Sequence, residues 1–258
     1  MRGKVALLTC FVFLSVQVFG LYVANFYQDV ELPYGLEPVP EENALGFLIS
    51  GIILFTLLFL SLRHFKVLLR FWFFIAIFSV MSVSLRAFVD EFSSAFVAFW
   101  LAVMRMKEGD LFLHDLTEVL LYGGLVSLLY PSFSMLHVII LLLVISAYDI
   151  ISVFFTKHMM RLAKIQLKTK TFAGIFVPRS KGFAILGGGD LAFPLLFLSV
   201  VMREYGYGVA FPLALSTLSL FLLIRLGKEK KAYPAMPFLT LGLLLGFLLL
   251  QLFQYPPL

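Results

Sequence analysis

Long apolar runs separated by short polar segments constrain this chain more than any other feature of its sequence. Hydrophobic residues make up 61% of its 258 residues and charged residues only 14%, with a mean hydropathy of +1.00. Soluble domains carry about 25% charged residues, and a helix that crosses a bilayer needs about 20 predominantly apolar residues. The sequence therefore predicts an all-α, polytopic membrane protein and excludes a soluble globular domain.

Nine segments are apolar enough to be transmembrane helices, although several of them are short. We place them at Val5–Tyr22, Leu45–Leu62, Val67–Leu85, Phe92–Met104, Leu116–Tyr130, Phe133–Phe155, Phe183–Met202, Gly208–Ile224 and Tyr233–Phe253. We expect one membrane-embedded domain, 1–258, with six helices in 1–156, a basic cytoplasmic loop in 157–182 and three helices in 183–258.

The basic residues fall almost entirely on one side of this nine-helix arrangement. Eighteen of the 20 Lys and Arg residues lie at the N-terminus or in the even-numbered loops, and only Arg86 and Arg203 lie on the other side. Because cytoplasmic loops of membrane proteins are enriched in Lys and Arg, we expect a cytoplasmic N-terminus and an extracellular C-terminus. The predicted location is the cell membrane, in a multi-pass arrangement.

Three acidic residues, Glu118, Asp149 and Asp190, remain within predicted helices. An ionisable group inside the hydrocarbon region is costly, so each is a candidate functional residue. We expect none of them to have a cationic partner within the membrane. Glu118 lies near the inner end of its helix, where a side chain that reaches water is a sufficient explanation.

Asp149 and Asp190 are predicted at matching depths in consecutive antiparallel helices. Asp149 precedes the first inner-side charge after its helix, Lys157, by eight residues, or about 12 Å of helix. Asp190 follows Lys181 by nine residues, or about 13 Å if all of them are helical. Two carboxyl groups that share one proton can activate water and polarise a carbonyl group. A buried carboxyl pair between helices, or a proton or cation relay, is the alternative.

Three short strings accompany these acids. Tyr148 precedes Asp149 and offers a hydroxyl group near the pair, and the glycines at 187–189 precede Asp190 and permit close backbone approach. At the start of the ninth predicted helix, two prolines interrupt helical hydrogen bonding and should leave carbonyl groups exposed. This third string is Pro234, Ala235, Met236 and Pro237.

Together, Tyr-Asp, Gly-x-Gly-Asp and Pro-Ala-x-Pro in the sixth, seventh and ninth predicted helices resemble the presenilin and signal-peptide-peptidase family of intramembrane aspartyl proteases. The size resembles a compact prokaryotic, archaeal-type homologue. The resemblance implies a nine-helix presenilin-like fold and a catalytic pair of Asp149 and Asp190. It also implies roles in substrate binding or active-site support for Tyr148, Gly187, Gly188, Gly189, Pro234, Ala235, Met236 and Pro237. Gly188 is the variable position of its motif, and Met236 stands where the family usually has Leu.

The function that we expect is hydrolysis of peptide bonds within transmembrane segments. The expected partners are transmembrane-helix substrates and the lipid bilayer, with no nucleic acid, metal or cofactor. A proton-coupled secondary transporter could use the two acids with broken helices, and a prepilin-peptidase-like enzyme could use the Gly-x-Gly-Asp string. A serine rhomboid and a zinc protease are disfavoured, because neither Gly-x-Ser-x-Gly nor His-Glu-x-x-His occurs.

Overall fold

The computed structural model describes residues 2–35, 39–43, 46, 49–51, 53–54, 57, 66–107, 110–156, 173–178, 183–227 and 233–254. Their long elements are eight α-helices and two strands. In chain order these are α1 (Arg2–Asp29), α2 (Lys66–Arg86), α3 (Glu91–Lys107), α4 (Leu111–Leu129), α5 (Met135–Ile151), β1 (Gly174–Pro178), β2 (Phe183–Gly187), α6 (Gly188–Tyr205), α7 (Ala210–Leu226) and α8 (Met236–Gln254).

The eight helices correspond in order to eight of the nine predicted transmembrane helices, which confirms a mainly helical membrane fold. The second predicted helix, 45–62, lies mostly outside the described residues, so the count of nine stays a prediction. Five described segments are long and apolar enough to cross a membrane. One of them, Gly188–Leu226, contains both α6 and α7, joined by a short turn at Gly206–Val209.

Helix α6 lies at the centre of the bundle. It packs against α1, α4, α5 and α8. Every residue from Pro194 to Val201 is buried, so this helix is enclosed on all sides, as expected for a helix that is apolar around its whole circumference. The main hydrophobic core surrounds it and includes Leu191, Leu195 and Phe197. The first turn of α6, which carries Asp190, is therefore held in place by packing on several helices.

The two strands form an antiparallel pair, with Gly174 opposite Gly187 and Pro178 opposite Phe183. This sheet corrects two expectations. The seventh helix begins at Gly188 rather than at Phe183, because a short apolar run is compatible with a strand as well as with a buried helix. The depth of about 13 Å for Asp190, which assumed a continuous helix, therefore does not apply. In addition, β1 lies within the segment 157–182, which we expected to be a loop.

The loop between α2 and α3 lies outside the membrane-spanning segments and contains the cap of α3. Asp90 Oδ2 accepts a hydrogen bond from the Ser93 amide at 2.9 Å, and Oδ1 accepts one from the Ser93 hydroxyl at 2.8 Å. Both bonds favour the ionised carboxylate, so they hold the pKa of Asp90 below its ordinary value. This N-terminal cap starts the helix that later carries Arg105.

Candidate active site

Asp149 lies on the last full turns of α5, and its side chain is buried against the start of α8. The residue is only 4% exposed, and its Oδ2 accepts a hydrogen bond from the Met236 amide at 3.1 Å. The first amides of a helix have no partner within that helix. Asp149 therefore satisfies the N-terminus of α8 from a different element of the fold.

The proline-containing string forms the start of α8. Pro237 is the second residue of the helix, where the missing amide proton costs no intrahelical bond. The Ala235 carbonyl accepts hydrogen bonds from the amides of Phe238 at 3.1 Å and Leu239 at 3.0 Å. The expectation of exposed carbonyl groups is therefore wrong for Ala235, whose carbonyl begins the helix. Pro234 is buried, and Met236 is 2% exposed and belongs to the main core.

Asp190 is the third residue of α6 and folds back over the beginning of its own helix. Gly187 occupies the N-cap position with extended backbone angles. A Cβ atom at Gly187 would lie 3.2 Å from Asp190 Oδ2, closer than an ordinary van der Waals contact. Asp190 therefore occupies the third helical position of α6, with its carboxyl group beside the N-cap residue.

The three glycines before Asp190 differ in how much space surrounds them. A Cβ atom at Gly188 would lie 2.8 Å from the Tyr122 hydroxyl and 3.4 Å from the Ala173 carbonyl oxygen. Gly189 is exposed, and a Cβ atom there would meet only Phe193, at 3.5 Å. Gly188, the variable position of the motif, is therefore the most crowded of the three in this chain.

The two acids that we predicted to form a pair lie on helices that are in contact. Helix α5 packs against α6, and α8 packs against both. The Asp149 carboxyl group accepts from the first amide of α8, and the Asp190 carboxyl group lies beside Gly187, the N-cap residue of α6. Two neighbouring carboxyl groups can act as a joint acid and base.

Tyr148 does not join this arrangement. Its side chain is 58% exposed on α5. Within the described part of the chain, no hydrogen bond links its hydroxyl group to Asp149 or Asp190. Successive residues of a helix are rotated by about 100°, so the neighbour of a buried residue faces a different side of the helix. Tyr148 is therefore placed to contact lipid or a substrate at the surface of the bundle.

Glu118 corrects two further expectations, because it is neither water-exposed nor without a cationic partner. It is 2% exposed, and its Oε1 accepts a hydrogen bond from Arg105 Nη2 in a buried ion pair. Helix α3 extends to Lys107, so Arg105 lies in its last turn rather than in a loop and reaches α4. The sequence contains one signal for this pair, because Arg105 and Glu118 have opposite charges and lie on either side of the short connection between α3 and α4. Tyr122, one turn beyond Glu118, donates its hydroxyl hydrogen to Oε2.

Comparisons with known proteins show the family and the fold of this chain. The family model for signal-peptide peptidase and presenilin aspartyl protease matches residues 12–193, which include both acids. A solved presenilin family intramembrane aspartate protease in space group C222 has a TM-score of 0.71 at 22% identity, covering 96% of this chain and 99% of that one. A second such structure, in space group P2, has a TM-score of 0.70 at 21% identity, covering 95% and 96%. The search of curated proteins gives no match.

Three substitutions at Met236 test the contact between its amide and Asp149. We expect Met236→Pro to lower thermal stability more than Met236→Ala does. Both remove the buried side chain, but only proline also removes the amide hydrogen, and proline fits the first position of a helix. A hydrogen bond to a charged group contributes about 1.5–3 kcal/mol. Met236→Leu, a change of similar volume, should cost less than about 1.5 kcal/mol. Thermal unfolding in detergent measures all three, and equal stability of the Pro and Ala variants would contradict the contact.

Proposed function

The chain belongs to the signal-peptide peptidase and presenilin family of aspartyl proteases and is an intramembrane aspartic endopeptidase; we propose that Asp149 and Asp190 are its catalytic residues. The observation that supports this proposal is the mutual packing of α5, which carries Asp149, of α6, which carries Asp190, and of α8. Both lie in the part of the chain that the family model covers. The family match favours neither a transporter nor a prepilin-peptidase-like enzyme.

The chemistry follows from one proton shared between two carboxyl groups. The ionised carboxylate takes a proton from water while the water oxygen attacks the carbonyl carbon of the substrate. The protonated carboxyl group gives its proton to the carbonyl oxygen, which forms a tetrahedral intermediate with two hydroxyl groups. One hydroxyl proton then returns to the pair, the leaving nitrogen receives a proton from it, and the C–N bond breaks. The products are a carboxylic acid and an amine, and the pair again holds one proton.

A helical substrate must be unwound before its carbonyl groups can react. Within the described residues the sheet has two strands, and β2 ends at Gly187, three residues before Asp190. An extended substrate segment that pairs with the outer edge of β2 would pass beside the carboxyl pair. Strand addition of this kind satisfies main-chain donors and acceptors that a bilayer cannot satisfy. The start of α8 at Met236 lies on the other side of Asp149 and can support the same segment.

The finer assignments of topology belong to the same proposal. We place nine helices in the membrane, with the N-terminus in the cytoplasm and the C-terminus outside the cell, on the strength of the distribution of Lys and Arg. Substrates would then be transmembrane helices with outward-facing N-termini, and the released fragment would leave on the cytoplasmic side.

Asparagine substitutions test the catalytic pair. We expect Asp149→Asn and Asp190→Asn each to lower the cleavage rate of a transmembrane peptide in liposomes by about 10²–10⁴-fold or more, because each removes a proton-transfer group. The matched control is Asp90→Asn, which makes the same change in an exposed loop where Asn still caps the helix. Its rate should equal that of the unmodified protein. Full activity of either variant at position 149 or 190 would eliminate the proposed pair.

Single cysteines test the orientation. In a Cys10→Ser background, we expect Glu31→Cys to react with a membrane-impermeant maleimide added to intact cells. Lys107→Cys should react only after the cells are opened, because the proposed topology places it on the cytoplasmic side. The two positions flank predicted helices at opposite faces of the membrane. The reverse labelling pattern would show that the chain inserts in the opposite sense.

A further inference from the structure

We propose that Glu118 and Tyr122 of α4, with Arg105 of α3, are positioning residues that hold the turn carrying Asp190. This inference rests on the proposed catalytic role of Asp190 and deepens it. The three side chains form a buried polar cluster that lies outside the carboxyl pair, and the reaction chemistry does not use them. Their contacts lead through the small sheet to the glycines that precede Asp190.

The Glu118 carboxylate collects hydrogen bonds from three different parts of the fold. Its Oε1 accepts from Arg105 Nη2, and its Oε2 accepts from the Tyr122 hydroxyl group and from the Gly174 amide, the latter at 3.1 Å. Arg105 also donates to the Thr117 hydroxyl group on α4. Because both carboxylate oxygens are engaged, a small movement of this side chain would break several bonds at once.

Helix α4 also binds the edge of β1 that β2 leaves unpaired. The Phe176 amide donates to Asp115 Oδ1 at 3.0 Å, and His114 Nε2 lies 3.0 Å from the Gly174 carbonyl oxygen. Together with the bond from the Gly174 amide to Glu118, these contacts involve alternate residues of the strand, whose main-chain groups point to one edge. One turn of α4 therefore takes the place that a third strand would occupy, and it fixes the position of β1.

The cluster reaches the turn before Asp190 by two routes. The first is the sheet, since Gly174 pairs with Gly187 and the Gly188 amide donates to the Ala173 carbonyl oxygen at 3.2 Å. The second is direct, since the Tyr122 hydroxyl group lies 2.8 Å from the position of a Cβ atom at Gly188. Two independent contacts thus converge on Gly188, two residues before Asp190.

A purely structural role does not explain equally well why this buried cluster consists of charged and polar side chains. Buried ion pairs rarely stabilise a fold more than apolar residues of the same volume would, and within a membrane their desolvation is especially costly. What a hydrogen-bonded network provides beyond apolar packing is a defined geometry. The geometry that this network defines is that of β1 and of the Gly187–Asp190 turn.

Phenylalanine substitutions at Tyr122 and Tyr130 distinguish an effect on the position of Asp190 from an effect on the stability of the fold. Tyr122→Phe removes the hydroxyl group that contacts Glu118 and Gly188. The matched control is Tyr130→Phe, since Tyr130 is equally buried and donates to the Ala24 carbonyl oxygen at 3.0 Å, away from the carboxyl pair. We expect Tyr122→Phe to lower kcat by about tenfold or more with KM changed less than about twofold, since small misplacements of a catalytic group have effects of this size. Tyr130→Phe should keep the original kcat at a similar melting temperature.

A double-mutant cycle tests the direct contact with Gly188. Gly188→Ala alone should lower kcat strongly, because the new methyl group meets the Tyr122 hydroxyl oxygen at 2.8 Å. The combined variant Tyr122→Phe/Gly188→Ala lacks that oxygen, so its kcat should be higher than the two separate effects predict. Additive losses would overturn the direct contact.

The outcomes distinguish this inference from the proposed function. If the unmodified protein cleaves the peptide and Tyr122→Phe matches Tyr130→Phe in kcat, the positioning role is wrong and the catalytic pair stands. If the unmodified protein cleaves no transmembrane peptide, the proposed function fails and this inference fails with it. Should Tyr122→Phe not fold, Glu118→Gln is measured in the same way, and an unchanged kcat at a retained melting temperature would overturn the positioning role.

Discussion

A carboxylate held against the N-terminal amides of a helix is the interaction on which this structure depends. Asp149 makes this contact at the start of α8, and Asp190 lies at the start of its own helix, α6, with its carboxyl group beside Gly187. The unpaired amides of a helix start carry a partial positive charge, and an acidic side chain satisfies both their hydrogen bonds and that charge. In an apolar bundle, where water is scarce, such a contact stabilises a buried carboxyl group. The start of α8 therefore holds the side chain of Asp149, and the first turn of α6 carries Asp190.

Packing within the bundle fixes the positions of these two helix starts. Helix α6 is enclosed by α1, α4, α5 and α8, so the position of Asp190 is set by packing on several sides. The start of α8 is set by the buried side chain of Met236 and by the contact of its amide with Asp149. On the remaining side, the polar cluster around Glu118 binds β1, which pairs with the strand that leads into α6. The proposed catalytic pair thus depends on contacts from three directions.

Much of this arrangement is predictable from the sequence, and the reasons are physical. Apolar runs of membrane length identify the helices, and an acid within such a run is costly enough to mark Asp149 and Asp190. The strand at 183–187 was missed because five apolar residues fit a strand or a helix equally well. The Arg105–Glu118 pair was missed because it depends on where α3 ends and how it packs against α4. The contact between Met236 and Asp149 uses a main-chain amide, which nearly every residue type provides, so the sequence contains no signal for it.

The pH dependence of kcat/KM in liposomes tests most directly whether the two carboxyl groups act as one unit. The account predicts a bell-shaped profile for the unmodified protein, because activity requires one carboxyl group ionised and the other protonated. The falling limb on the acidic side would reflect protonation of both groups, and the falling limb on the basic side the loss of the shared proton. A profile with a single limb, or a flat one, would contradict the shared-proton pair at Asp149 and Asp190.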